Sequence, residues 1–133
     1  MAKVLSVIAP YPTLMLMGAK TIETRKYPTR YRGEIYIHVS KRNVPKEWRK
    51  LPCYQMACEY TDDFQYGYIV LKATLVDCYQ MTEENIRLVS EMERNCGFWE
   101  PGRYAWVLAD ITPIDPIEAK GHQTIWNIDL ERR

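Results

Sequence analysis

Four charged side chains, Lys20, Glu23, Arg25 and Lys26, fall within seven residues of the stretch "GAKTIETRKY", residues 18–27. A strand over 21–25 would set Thr21, Glu23 and Arg25 on one face and Ile22 and Thr24 on the other, because successive side chains alternate. Ile22 is then the core anchor. Lys20 sits where the chain still turns, and its stem is long enough to reach the Glu23 carboxylate. Such a cluster offers two kinds of cation and one acceptor. A guanidinium fork grips a phosphate or carboxylate through two parallel hydrogen bonds. A carboxylate accepts protons from the exocyclic amine of a base. The same residues also suit an ion-pair network that staples neighbouring strands. Exposed pairs of that kind contribute only about 0–1 kcal/mol, a weak reason to place so much charge in one strand.

Other residues are candidates for the same chemistry. His38 and Ser40 share the polar face of "GEIYIHVSK" and are placed to line a cleft. Tyr104 and Trp106 alternate onto one face of a later strand. They can stack on a base for about 1–3 kcal/mol, or fill a core. Lys41, Arg42, Lys46, Arg49 and Lys50 with Trp48 form a basic, aromatic-bearing segment suited to a nucleic-acid backbone or to a solvated helical face. Trp126, in an apolar strand, reads as packing. Neither His38 nor His122 sits in a recognisable nucleophile context, so Ser-His-Asp chemistry has no support in the sequence. No glycine loop of the phosphate-cradling type is present. Cys53, Cys58, Cys78 and Cys96 include no C-x-x-C pair and lie far from the histidines. No metal site is predicted, and no cofactor; reduced, mostly buried thiols are expected.

The elements that must hold these residues follow from pattern. The chain has 133 residues, enough for one domain over 1–133 with a core of its own. Hydrophobic residues make up 47%, which argues against disorder. No apolar run approaches the roughly 20 residues of a membrane span. "MAKVLSVIAPYP" lacks the small-residue cleavage site of a signal peptide, so a cytoplasmic protein is expected. Net charge is only +1, yet residues 18–50 carry ten Lys and Arg against three acids, a local +7 balanced by −6 elsewhere. A basic third of this kind draws phosphates.

Strands are predicted over 3–9, 21–27, 33–41, 66–80, 103–114 and 124–130, where β-branched or alternating apolar residues recur. In the third, Ile35, Ile37 and Val39 face inward. The length of the fourth suggests bending. A short helix after Pro10 stops at Gly18, broken helical structure over 44–60 is interrupted at Pro52, and a helix over 82–95 starts at Thr82 and stops before Gly97. The strands are not separated by regular helices, which excludes a doubly wound parallel sheet. The expected fold is mixed α+β, mainly β: a small closed barrel of about six strands with two or three peripheral helices and one open mouth.

"GAKTIETR" resembles the G-x-K-x-x-E-x-R signature of the ASCH domain family, part of the PUA-like superfamily of small β-barrels. Gly18, Lys20, Glu23 and Arg25 fill its four positions. "GEIYIHVSK", "PGRYAWVLADITPIDPIEAKG" and "TIWNID" resemble the family's next strand, its C-terminal strand and loop, and its closing Trp segment. The resemblance implies a cleft at the barrel mouth that takes RNA, a nucleotide or a modified nucleoside. Lys20, Thr21, Glu23 and Arg25 would line it, joined by His38, Ser40, Lys41 and Tyr104. One bacterial branch of the family consists of small amidohydrolases that deacetylate acetylcytidine with a lysine, a threonine three residues later and a glutamate from a later helical segment. Lys20 matches that lysine. Glu23 stands at the threonine position, flanked by Thr21 and Thr24, and Glu83, Glu84, Glu91 and Glu93 all lie in the later helical region. A deacylase here would use Glu23 to activate water and Lys20 to stabilise an oxyanion. The leading expectation is an RNA- or nucleotide-binding domain, followed by a nucleoside amidohydrolase and then by a protein-interaction domain.

Overall fold

Alternating apolar residues and two long β-branched runs build one six-stranded sheet. The computed structural model describes residues 1–132. In chain order the elements are β1 (Ala2–Val7), α1 (Tyr11–Leu16), β2 (Ile22–Arg25), β3 (Gly33–Val39), a 3-10 turn (Lys46–Lys50), α2 (Pro52–Tyr60), β4 (Tyr68–Gln80), α3 (Glu83–Arg87), α4 (Glu91–Asn95), β5 (Tyr104–Glu118), β6 (Ile125–Ile128) and a last 3-10 turn (Leu130–Arg132). The sheet order is β2-β5-β4-β3-β1-β6. Neighbours run antiparallel except β1 and β3, which are parallel with Ser6 beside His38. No helix among the described residues is long and apolar enough to cross a membrane.

The architecture is mixed α+β and mainly β, as the pattern predicts, but the sheet is a curled half-barrel. Three register shifts in the β4–β5 ladder, between Ile69 and Leu71, Lys72 and Thr74, and Leu75 and Asp77, bend the two longest strands. Each bulge raises the local twist. The curl brings β2, at one end of the sheet, against β1, the fifth strand: Arg25 Nη2 donates to the Ser6 carbonyl at 2.8 Å. Closure goes no further, since among the described residues no ladder joins β2 to β6. Among the described residues β2 pairs only with residues 104–107 of the much longer β5.

Four short helices replace the expected two or three. The pattern over 82–95 holds two of them because a second capping residue interrupts it. Thr82 Oγ1 accepts from Asn85 N at 3.1 Å and Asn85 Oδ1 accepts from Thr82 N at 2.8 Å, a reciprocal box that starts α3. Ser90, in extended backbone, then accepts from Glu93 N at 3.2 Å and starts α4.

The main core joins Leu5, Val7, Leu14, Ile35, Ile37, Leu71, Leu75 and Trp106. A second cluster of Val4, Ile69, Ala119, Trp126 and Ile128 covers part of the other face. That second cover buries His38, placed by alternation on a polar face, to 1% exposure. Of the four free thiols only Cys53 and Cys96 are buried; Cys78 is half-buried and Cys58 exposed, so burial is less general than expected.

Gly18 ends α1 at φ +80°. Its left-handed backbone lets Ala19 N and Lys20 N both turn back to the Leu14 carbonyl, at 3.0 and 3.2 Å, and this aims Lys20 inward. Gly18→Ala meets no atom within 4 Å, so its cost is backbone strain alone. A loss of about 1–2 kcal/mol is expected, read as a lower urea midpoint with an unchanged slope.

Candidate functional site

A cleft of about 810 Å³ opens where the ends of the half-barrel meet the loops. β2 supplies Glu23, Thr24 and Arg25, and Lys26 and Tyr27 follow directly. Ser6 comes from β1, Tyr11 from α1, Ser40 and Arg42 from the end of β3, and Trp48 from the first 3-10 turn. Phe98 and Arg103 come from the loop before β5, and His122, Gln123 and Thr124 from the loop before β6. Four cations, Arg25, Lys26, Arg42 and Arg103, border it against the single acid Glu23 among the described residues.

The floor is a buried charge cluster. Glu23 is 5% exposed, and Arg25 Nε donates to its Oε2 at 2.9 Å. Arg25 uses its other nitrogens as well: Nη2 holds the Ser6 carbonyl and Nη1 donates to the Tyr27 hydroxyl at 3.3 Å. Burial works against the Arg25 charge, but Glu23 and Tyr27 outweigh it and its pKa rises. Of five guanidinium N–H groups two remain for a ligand. Beneath Glu23 lies Lys20, wholly buried, with Nζ 3.9 Å from Glu23 Oε1 and 4.6 Å from the Tyr11 ring centre. Lys20 also donates to the Cys96 carbonyl. Burial pushes its pKa down, while Glu23 and Glu93 hold it up.

The remaining predicted residues divide. Ser40 borders the cleft. Lys41 borders a neighbouring hollow of about 370 Å³, together with His38, Lys120 and Gly121; the two hollows share Ser6, Ser40, Arg42, His122 and Gln123. The His38 ring nitrogens lie at hydrogen-bond distance from Ser6 Oγ, Nδ1 at 2.9 Å, and from the Ala119 carbonyl, Nε2 at 2.8 Å. Thr21 lies outside the cleft, because its N and Oγ1 both donate to Glu93 Oε1, at 2.6 and 2.7 Å. That bond ties β2 to α4. Glu93 is thus the acid of the later helical region that packs beside the signature, and its Oε2 is buried with no hydrogen-bond partner among the described residues. Thr24, opposite Glu23 by alternation, borders the cleft too, because the loop after α4 folds over it and Phe98 N donates to its Oγ1 at 3.2 Å.

Tyr104 packs half-buried against the main core and does not border the cleft. Trp106, 1% exposed, lies under the Arg25 guanidinium at 5.9 Å and donates to the Tyr27 carbonyl at 3.1 Å. The aromatic walls are instead Tyr11, Tyr27, Trp48 and Phe98, with the Trp48 ring centre 5.4 Å from those of both Tyr11 and Phe98. The basic segment contained a hint of Arg42 and Trp48. Tyr27, Phe98 and Arg103 carry no periodic signal, since loops place them.

The model of the ASCH domain matches residues 5–118 of the chain. In structure the chain is similar to ASCH from Zymomonas mobilis, with TM-score 0.60 and 17% identity, over 98% of this chain and 89% of that one. A tyrosine-to-phenylalanine mutant of the Zymomonas mobilis protein is similar at TM-score 0.59 and 17% identity, over 98% and 91%. No curated protein sequence matches. With most of its length matched to the family and the half-barrel shared from end to end, the chain belongs to the ASCH domain family.

Proposed function

We propose that this protein binds RNA or a nucleotide and holds one base in the cleft against Glu23. The observation that carries the reading is a buried carboxylate at the base of a hollow with aromatic and cationic walls. Glu23 gives one oxygen to Arg25, and an ionised carboxylate has about four lone-pair sites, so acceptors remain for an exocyclic amine. Tyr27 and Phe98 are 38% and 48% exposed and offer faces for stacking. Arg42, Lys26 and Arg103 lie within reach of phosphates around the rim. The hollow falls within the roughly 300–1,000 Å³ typical of small-ligand sites. The four free thiols fit the reducing cytoplasm as its compartment.

A nucleoside amidohydrolase is the second reading, and one observation favours it: Glu23 is a carboxylate with a lysine beneath it and a threonine hydroxyl beside it. Lys20 has no exposed surface, so an oxyanion formed in the cleft would lie out of its reach. This reading therefore rests on Glu23 activating water, with Lys20 acting through Glu23. An interaction domain with a vestigial cleft fits less well, because the hollow stays open and lined with charge.

Fluorescence anisotropy with a labelled single-stranded RNA oligonucleotide tests the binding reading. Affinity should fall as salt rises, and Arg42→Ala should lower the slope of log affinity against log salt by about 0.7. Affinity that stays flat with salt removes the phosphate contacts and the reading with them. Phe98→Ala, at a half-exposed position, should weaken binding by about 1–3 kcal/mol in a protein whose far-UV circular dichroism shows the fold retained. Incubation with acetylated cytidine separates the second reading: release of cytidine that Glu23→Ala abolishes establishes hydrolysis, and an inert protein that still binds establishes the first.

A further inference from the structure

We propose that Ser6 and His38 form a nucleophile and general-base pair that cleaves carboxylic esters of phosphate-bearing alcohols. The pair arises from register. β1 and β3 run parallel with Ser6 opposite His38, so the two side chains leave the sheet on the same face. They are 32 residues apart in the chain, and no local pattern announces them.

The tautomer follows from the partners. His38 Nε2 is 2.8 Å from the Ala119 carbonyl, which only accepts, so Nε2 carries the proton and Nδ1 the lone pair. The Ser6 hydroxyl, 2.9 Å from Nδ1, is then the donor, and its proton already points at the base. Trp126 Nε1 donates to the same Oγ at 3.1 Å and stacks edge-on against His38 at 5.6 Å, fixing both groups. Nucleophile, base and a third group that orients the base are the three parts such chemistry needs. Ala119 and Trp126 are positioning residues.

Access distinguishes this pair from an ordinary internal link. His38 is 1% exposed, but Ser6 is only partly buried and borders both hollows. Burial lowers the His38 pKa against the pull of its backbone partners at Ala119 and Gly67, a shift in the direction a general base requires. Arg42 also borders both hollows, and Lys41 and Lys120 border the second, which selects a substrate bearing phosphate. Gly121 packs closely against the pair: a Cβ there would stand 2.9 Å from Ser6 Oγ and 2.8 Å from His38 Cε1, so a side chain at this position would crowd both groups.

In the reaction Ser6 Oγ bonds to the acyl carbon while its proton passes to Nδ1. The ester C–O bond then breaks, and the imidazolium returns that proton to the departing alkoxide. Water, deprotonated by Nδ1, attacks the acyl-serine and frees the carboxylic acid and Ser6. Ester and water give alcohol and acid, with no other reactant.

A fluorophosphonate probe on the whole protein, read by intact mass and peptide mapping, tests the nucleophile. One label on Ser6 is expected, absent in Ser6→Ala and formed about 100-fold or more slowly in His38→Gln. Acetylated adenosine monophosphate should be hydrolysed faster than acetylated adenosine, and Arg42→Ala should close that gap. An unlabelled folded wild type, a label elsewhere, or Ser6→Ala hydrolysing at the wild-type rate overturns the proposal. So does wild-type labelling of His38→Gln at an unchanged melting temperature. If His38→Gln does not fold, Gly121→Ala decides, because it keeps both partners: retained labelling in a folded Gly121→Ala overturns the pair, and lost labelling supports it. RNA binding, tested through Phe98, which borders only the larger hollow, stands or falls separately in anisotropy.

Discussion

A lysine ammonium with no exposed surface is the constraint around which this site is organised. Taken out of water alone, such a charge costs several kcal/mol. Lys20 is compensated from three directions: the Glu23 carboxylate, the Cys96 carbonyl and the face of Tyr11. Those partners belong to β2, the end of α4 and α1, so one charge fixes the mutual position of three elements. Glu23 is held in turn by Arg25, and Arg25 reaches across the curl to the Ser6 carbonyl. A four-residue edge strand with a single ladder is thereby anchored by polar ties on both sides. Groups locked this way have little freedom to reorganise, which suits the binding role proposed for the cleft.

The polarised charge of the sequence takes on a shape in the fold. Arg25, Lys26, Lys41 and Arg42 all come from the basic third, and the curl lays them along two adjoining hollows. Arg103 and Lys120 join them from the acidic remainder. The shared wall of Ser6, Ser40, Arg42, His122 and Gln123 makes the hollows one continuous groove in chemical character. Field lines from a groove with an excess of positive charge concentrate in it, which favours anions along its length.

Much of the floor was legible because it depends on neighbours in the chain. Alternation alone put Glu23 and Arg25 on one face, and a three-residue spacing put Lys20 within reach of Glu23. Gly18 as a helix stop and Ile35, Ile37 and Val39 as core residues are local readings too. The walls were not legible, because Tyr27, Phe98 and Arg103 are loop residues that only the folded chain brings together. His38 shows the same limit from the other side: alternation gave its face, but the cluster around Trp126 that covers that face is a tertiary fact. The position of Tyr104 was hidden for a related reason, since its ring packs against the core beside it and not in the cleft. The length of β4 signalled bending, yet length says nothing about whether the two ends of a sheet meet. Ser90 could be read as a cap only against a helical pattern strong enough to hide it.

The mismatch in length between β2 and β5 leaves residues 109–117, among the described residues, paired in the sheet with β4 alone. A bare margin of that length would ordinarily invite a foreign strand to zip alongside. Pro113 and Pro116 have no amide hydrogen to offer, and the exposed carboxylates of Asp110 and Asp115 would repel an identical neighbour. The margin is thus proofed against fibril-like stacking by composition, and the protein can leave its half-barrel open without becoming sticky there.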